Sequence, residues 1–186
     1  MRRSGFTVIE LLIVLIILGI VAAIVAPRID LGRYEVESAM RGAGVTLLTA
    51  QRQAVTRQHD VIVQFDQANQ ALRVHEDRDN DAAVDPGERV RGVPLGEHIV
   101  FGRGSAPARP IGADPITFTK TIGGLPALVF RRNGSASQFG GFYLTSRRAL
   151  NSGSHAEDAR CAEIEAATGR LSWYRYGPPV WRGEAI

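Results

Sequence analysis

The sequence predicts an α+β protein: a long N-terminal helix, transmembrane in its first half and amphipathic in its second, packed against an antiparallel β-sheet domain. Three observations predict it. From Phe6 to Ala26 the chain is almost unbroken apolar, with Glu10 as its only charge. From Val36 to Ala54 apolar residues return every three or four positions, which draws one face of a helix. From Asp60 onward the period shortens to two and turn residues become frequent, the pattern of half-buried strands.

The apolar run is long enough to cover most of a bilayer's hydrocarbon core, which takes about 20 residues at about 1.5 Å of rise each. A carboxylate near the end of such a helix costs on the order of a few kcal/mol unless it has a partner. An ordinary secretory signal carries its small-residue cleavage site after the apolar segment. Here the small pair Ser4-Gly5 precedes the segment and no A-x-A site closes its far end. A cut after Gly5 would discard residues 1–5 with Arg2 and Arg3, keep residues 6–27 as a helix, and create an α-ammonium on Phe6. Glu10 then lies four residues from that cation. A plain single-span anchor gives no reason for the acid.

Gly5-Phe6-Thr7-Val8-Ile9-Glu10-Leu11-Leu12, behind a short basic leader, resembles the class III signal of type IV pilins and type II secretion pseudopilins. The resemblance implies a prepilin peptidase that cuts after Gly5 and N-methylates Phe6. It implies that Glu10 pairs with the N-terminus of an adjacent subunit during filament assembly. Pro27, at the end of the apolar run, also matches the family's pattern.

Beyond Pro27, residues 28–58 read as the amphipathic half of the same helix. Val36, Met40, Ala43, Leu47, Ala50 and Ala54 form its apolar stripe, with Arg33, Glu37, Arg41, Gln51, Arg52 and Gln58 largely between them. Pro27 is expected to kink or open the helix by removing a backbone donor. Gly32, Gly42 and Gly44 weaken its middle by about 1 kcal/mol each relative to alanine.

Residues 59–186 read as the β domain. Strands are expected at 61–65, 71–75, 88–93, 99–101, 116–119, 127–131, 141–145, 160–166 and 170–176. Asp66 to Gln70 and Ala167-Thr168-Gly169 read as hairpin links, and Gly102 to Pro115 as an irregular surface loop. Phe130 to Gly134, Gly140 to Thr145 and Ala162 to Leu171 are similar to the GspH/FimT group of minor pilins. In that group a G-x-x-x-G-G loop links two strands and a T-G-R turn closes the last hairpin. This implies a low-abundance subunit rather than the bulk of a filament.

Two constellations carry possible chemistry. In Asp77-Arg-Asp-Asn-Asp-Ala-Ala-Val-Asp-Pro-Gly-Glu88, the acids Asp77, Asp79, Asp81, Asp85 and Glu88 fall at positions 1, 3, 5, 9 and 12, the ligand spacing of an EF-hand Ca²⁺ loop. Position six is Ala82 instead of glycine, and the flanks read as strands instead of helices. The other reading is a solvated acidic turn. Near the C-terminus, Arg170, Arg175 and Arg182 interleave with Trp173, Tyr174, Tyr176 and Trp181, the composition of a sequence-tolerant DNA surface. Some FimT-like minor pilins bind DNA through G-R-x-R, whereas this chain reads Gly169-Arg170-Leu171-Ser172 and keeps only the first arginine. Arg131, Arg132, Arg147 and Arg148 would add charge if they lie nearby. The other reading is a closing strand whose aromatics pack on the core, and it is the favoured one.

Composition bounds the rest. The 186 residues leave room for one modest domain, and the formal net charge is +3 with Lys120 the sole lysine. That balance does not itself imply nucleic acid. With Cys161 the only cysteine, no intrachain disulfide forms, and a buried inert thiol is expected. His59, His75, His98 and His155 lack metal spacing, Ser154-His155 lacks a triad's setting, and Gly102-Arg-Gly104 is no phosphate loop. The chain therefore reads as no enzyme. It reads as a minor pilin or pseudopilin of the bacterial inner membrane, crossing it once, with its β domain periplasmic or extracellular. Its expected partners are other pilin subunits, prepilin peptidase and an inner-membrane assembly platform. A DNA-binding minor pilin for uptake and a membrane-anchored β domain without a filament are the alternatives.

Overall fold

A computed structural model describes residues 6–25, 31–85 and 87–184. It divides the chain into two compact units, Met1–Leu31 and Gly32–Ile186. The first holds α1 (Val8–Val25). Gly5 and Pro27 lie outside the described residues, and so does the junction over which a continuous helix was expected.

The second unit opens on α2 (Leu31–Arg57), which runs unbroken through Gly42 and Gly44. Thr46 Oγ1 donates back to the Gly42 carbonyl at 2.8 Å. Gln58 ends the helix with φ +57, its side-chain amide donating to the Val55 carbonyl at 2.6 Å. A left-handed residue just past the last turn is how helices commonly stop.

Two antiparallel sheets follow. The first has the order β3-β2-β1-β6-β5, from β1 (Asp60–Asp66), β2 (Ala71–Asp77), β3 (Val90–Pro94), β5 (Thr121–Ile122) and β6 (Leu125–Phe130). The second has the order β10-β9-β8-β7-β4, from β4 (Ile99–Phe101), β7 (Gly140–Ser146), β8 (Arg160–Ile164), β9 (Leu171–Gly177) and β10 (Val180–Glu184). A short helix, α3 (Arg147–Ser152), and a 3₁₀ turn at Ala156–Asp158 join β7 to β8.

One core unites α2 with both sheets. The α2 stripe Val36, Met40, Ala43, Leu47, Ala50 and Ala54 is buried, and it meets Val61, Val63 and Phe65 of β1, Phe130 of β6, Phe142 of β7 and Trp173 of β9. Phe65 anchors the centre, 4.9 Å from the ring of Phe118 and 5.2 Å from that of Phe142. Period two then sends Ile62 to the opposite face, where it packs with Ile122, Ala127 and Val129.

The structure differs from expectation at five places. Residues 116–119 form no strand; Ile116 makes an isolated bridge to Phe142, and Thr117 N–H donates to the Gly141 carbonyl at 2.9 Å. A two-residue strand, β5, pairs instead with β6 across Gly123-Gly124, both left-handed, a turn that suits the twist of a tight hairpin. β10 and α3 were not expected. α3 is capped by Ser146, whose hydroxyl accepts from the Ala149 N–H at 3.2 Å, and ends at left-handed Gly153. β3 starts at Val90 instead of residue 88, because the Glu88 side chain is turned back onto the preceding loop.

Candidate functional site

α1 begins on a capping box, Thr7-Val8-Ile9-Glu10. Thr7 N–H and Thr7 Oγ1 donate to Glu10 Oε2 at 2.7 and 2.8 Å, and Glu10 N–H donates to Thr7 Oγ1 at 3.3 Å. A box of this kind satisfies donors that a helix N-terminus otherwise leaves orphaned. Sequence reading missed Thr7, although threonine three residues before a glutamate and an apolar run is the box's signature. Phe6 is 83% exposed, and the apolar side chains from Val8 to Val21 are uncovered. Each such side chain gains about 1.5–3 kcal/mol on burial, so this helix stands on the order of 20 kcal/mol to gain from any apolar cover. Among the described residues no helix is long and apolar enough to cross a membrane. The 18 residues of α1 span about 27 Å against a hydrocarbon core of about 30 Å.

The acidic segment Asp77 to Glu88 connects β2 to β3. One carboxylate oxygen each from Asp77, Asp79 and Asp81 lie within 4.8 Å of one another. Asp77 is fully buried: its Oδ2 accepts from the Ala82 N–H at 2.9 Å, and its Oδ1 has no partner among the described residues. Burial pushes the Asp77 carboxyl above its ordinary range, and the Asp81 charge does the same to Asp85. Ala82 sits at φ +62, so the left-handed position that an EF-hand gives to glycine is present here on an alanine. Glu88 is set apart from the trio. Its two oxygens accept from the Arg78 N–H at 3.1 Å and the Asp85 N–H at 3.2 Å.

The C-terminal arginines and aromatics part company. Trp173 is in the main core. Tyr174 lies under the Arg109 guanidinium, 3.5 Å from its ring centroid, and Arg109 pairs with Glu163. Trp181 packs on Tyr143 and Tyr176, and its indole N–H donates to the Pro107 carbonyl at 3.0 Å. Arg175 pairs with Glu184 at 3.2 Å, whereas Arg170 and Arg182 are exposed. Charge therefore remains at the surface while these rings are engaged in packing.

Other titratable groups serve the scaffold. Buried Arg160 of β8 donates to Glu37 of α2 at 3.0 Å and to the Glu157 and Ala159 carbonyls. His75 donates through Nε2 to Gln64 Oε1, 2.6 Å away, while the Gln64 amide donates to the Ile122 carbonyl. Cys161 is buried, which pushes its thiol far above the ordinary range and leaves it unreactive. Among the described residues none of the four histidines joins a group of three metal-ligating side chains.

Residues 1–26 match the family model described as the prokaryotic N-terminal methylation motif. The matched stretch takes in Gly5, Phe6 and Glu10, the residues that the N-terminal pattern singles out. Among solved structures, the minor pseudopilin EpsH from the type 2 secretion system of Vibrio cholerae matches at 16% identity and a TM-score of 0.45, over 74% of this chain and 94% of that one. No curated protein matches the chain.

Proposed function

We propose that the chain is a minor pilin or pseudopilin subunit of a type II secretion pseudopilus or type IV pilus. In this reading prepilin peptidase removes residues 1–5 and methylates Phe6. The helix waits in the inner membrane, crossing it once, until an assembly platform moves it into a helical array of other pilin subunits. The observation that carries the reading is the uncovered apolar α1, opened by a carboxylate, within the methylation motif. A bilayer or a bundle of identical helices would both cover it. The Thr7 box gives Glu10 a role within its own helix, and the array adds a partner for its charge. Both Thr7 contacts fall on Oε2, so Oε1 remains to accept from the Phe6 ammonium of a neighbour. In low dielectric, leaving either charge unpaired is expensive, and axial register is thereby tied to two charges being satisfied together.

Two substitutions test this. In a host with prepilin peptidase, intact mass should show the chain without residues 1–5 and with one added methyl, and Gly5→Val should block both. Glu10→Gln keeps a capping box while removing the charge, and Glu10→Ala removes both. Filament incorporation, scored by sheared-fraction immunoblot, should fall in both variants with cleavage intact. Normal incorporation of Glu10→Gln would overturn the pairing role, and an uncut leader would favour a plain anchor.

A further inference from the structure

We propose that the segment Asp77 to Glu88 is a Ca²⁺ site. The trio of Asp77, Asp79 and Asp81 converges from one short loop, with an oxygen of each inside 4.8 Å of the others. Two oxygens held by one Ca²⁺ at 2.3–2.6 Å can stand at most about 4.6–5.2 Å apart, so the spacing of the three is close to what one ion requires.

An acidic cluster alone means little on a surface. What sets this one apart is Asp77: its side chain is fully buried and its Oδ1 faces no donor among the described residues. A buried polar atom without a partner costs roughly 1–3 kcal/mol, more for a charge, and native structures rarely leave one so. Among the described residues no cationic side chain pairs with Asp77. Its immediate neighbour Arg78 is exposed, and Arg73 and Arg57 are committed to Asp66 and Glu76. A bound divalent cation would satisfy Oδ1 and offset the repulsion among five carboxylates in twelve positions.

The chemistry favours Ca²⁺ over Mg²⁺. A set made of carboxylates from one turn suits an ion that takes six to eight oxygens in irregular geometry, whereas Mg²⁺ demands a near-octahedral shell and keeps its waters. Asp85 and Glu88 supply the remaining side-chain oxygens, Glu88 by leaving the two N–H groups it now caps. The consequence is local order. Asn80 Oδ1 of this loop accepts from the Asp60 N–H at 2.8 Å, and Asp60 Oδ1 in turn accepts from the Arg132 N–H at 3.1 Å. A filled loop would therefore brace the first residue of β1, the β6–β7 connection and the entry to the edge strand β3.

The test uses the full chain in detergent micelles, stripped with a chelator and titrated with CaCl₂ or MgCl₂ at matched ionic strength by calorimetry. One saturable Ca²⁺ site with Kd of about 10⁻⁵–10⁻³ M is expected, at least tenfold tighter than for Mg²⁺. Tryptic cleavage at exposed Arg78 should slow as the site fills. Asp77→Asn and Asp79→Ala should each weaken binding tenfold or more. Asp79 is exposed, so its variant keeps the fold and decides the matter should Asp77→Asn fail to fold. Absence of saturable binding at millimolar Ca²⁺, equal affinity for the two ions, or parental affinity in Asp79→Ala would each overturn the proposal.

Discussion

Gly169 is the residue on which the packing of α2 against the second sheet can be tested most sharply. It stands in the β8–β9 turn at φ +62, and its N–H donates to the Glu165 carbonyl at 2.9 Å. Above it, Gln51 Nε2 of α2 donates to the Gly134 carbonyl at 2.8 Å and the Thr168 carbonyl at 3.0 Å. A Cβ on residue 169 would lie 2.4 Å from Gln51 Nε2 and 2.4 Å from the Gly134 carbonyl oxygen. Gly169→Ala therefore incurs two penalties: about 1–2 kcal/mol for the left-handed backbone and about 1–3 kcal/mol for the forced displacement. The sum is about 3 kcal/mol, or a fall of about 6–12 °C in Tm for a domain of this size. Thermal unfolding of the full chain in micelles, followed by the fluorescence of buried Trp173, reads it. Adding Gln51→Ala should restore about a third at most, because the Gly134 backbone oxygen stays in the way. A Tm within about 1 °C of the parent for Gly169→Ala would refute this account of the turn.

Two further outcomes follow from the same unit. Burial works to raise the Glu37 carboxyl, but the hydrogen bonds and charges of Arg160 and Arg41 hold it below its ordinary value of 4.5. Its folded value being the lower one, Glu37 contributes stability that is present above 4.5 and is lost as pH falls through the folded value. Glu37→Gln should thus lower Tm at neutral pH by the equivalent of about 1 kcal/mol, and the gap should narrow as pH falls below 4.5 through the folded value; a gap that keeps its neutral size all the way to acid unfolding would sink the assignment. As for DNA, surface charge without available rings gives binding that salt erases. Retardation of single-stranded DNA seen at about 50 mM salt should vanish by about 200 mM, and persistence there, abolished by Arg170→Ala, would revive the uptake reading.

What could be read from sequence was what repeats along it. The α2 stripe from Val36 to Ala54 and the alternation Val61, Val63, Phe65 each carry a period, and the buried faces of both elements follow it. β5 was hidden because two residues contain no period; only Gly123-Gly124 betrays it, as a turn without visible strands. β10 was hidden because Pro178-Pro179 looks like an end, yet it occupies the turn that pairs Val180 with Gly177. At the N-terminus, Glu10 is legible as an anomaly in an apolar run, while Thr7 blends into its start because one small hydroxyl breaks no apolar pattern. Pairings such as Arg160 with Glu37, or Gln51 with the Gly134 carbonyl, join residues 123 and 83 positions apart. No local pattern marks such contacts, since they exist only once two sheets and a helix have been brought together.

The polar ties along α2 have a mechanical role that its apolar stripe cannot supply. Three of the stripe's six positions, Ala43, Ala50 and Ala54, are alanine, and Ala39 beside them is buried too. Small residues let a helix lie close to a sheet, but they interlock little, and a smooth face resists sliding poorly. Three directional contacts stop that slide at separate heights: Glu37 to Arg160 of β8, Gln51 to the two loop carbonyls, and Arg57 to Glu76 of β2 at 2.6 Å. From Glu37 to Arg57 is about 30 Å of helix. A one-residue shift or a 100° turn of α2 would break all three at once, along with the burial of Val36, Met40 and Leu47. In the assembly proposed above, subunits are ordered through their N-terminal helices. The orientation of each β domain about α2 is then set by the buried stripe together with these three polar contacts, and loosening any one of the contacts should disturb the filament's surface before it disturbs the fold.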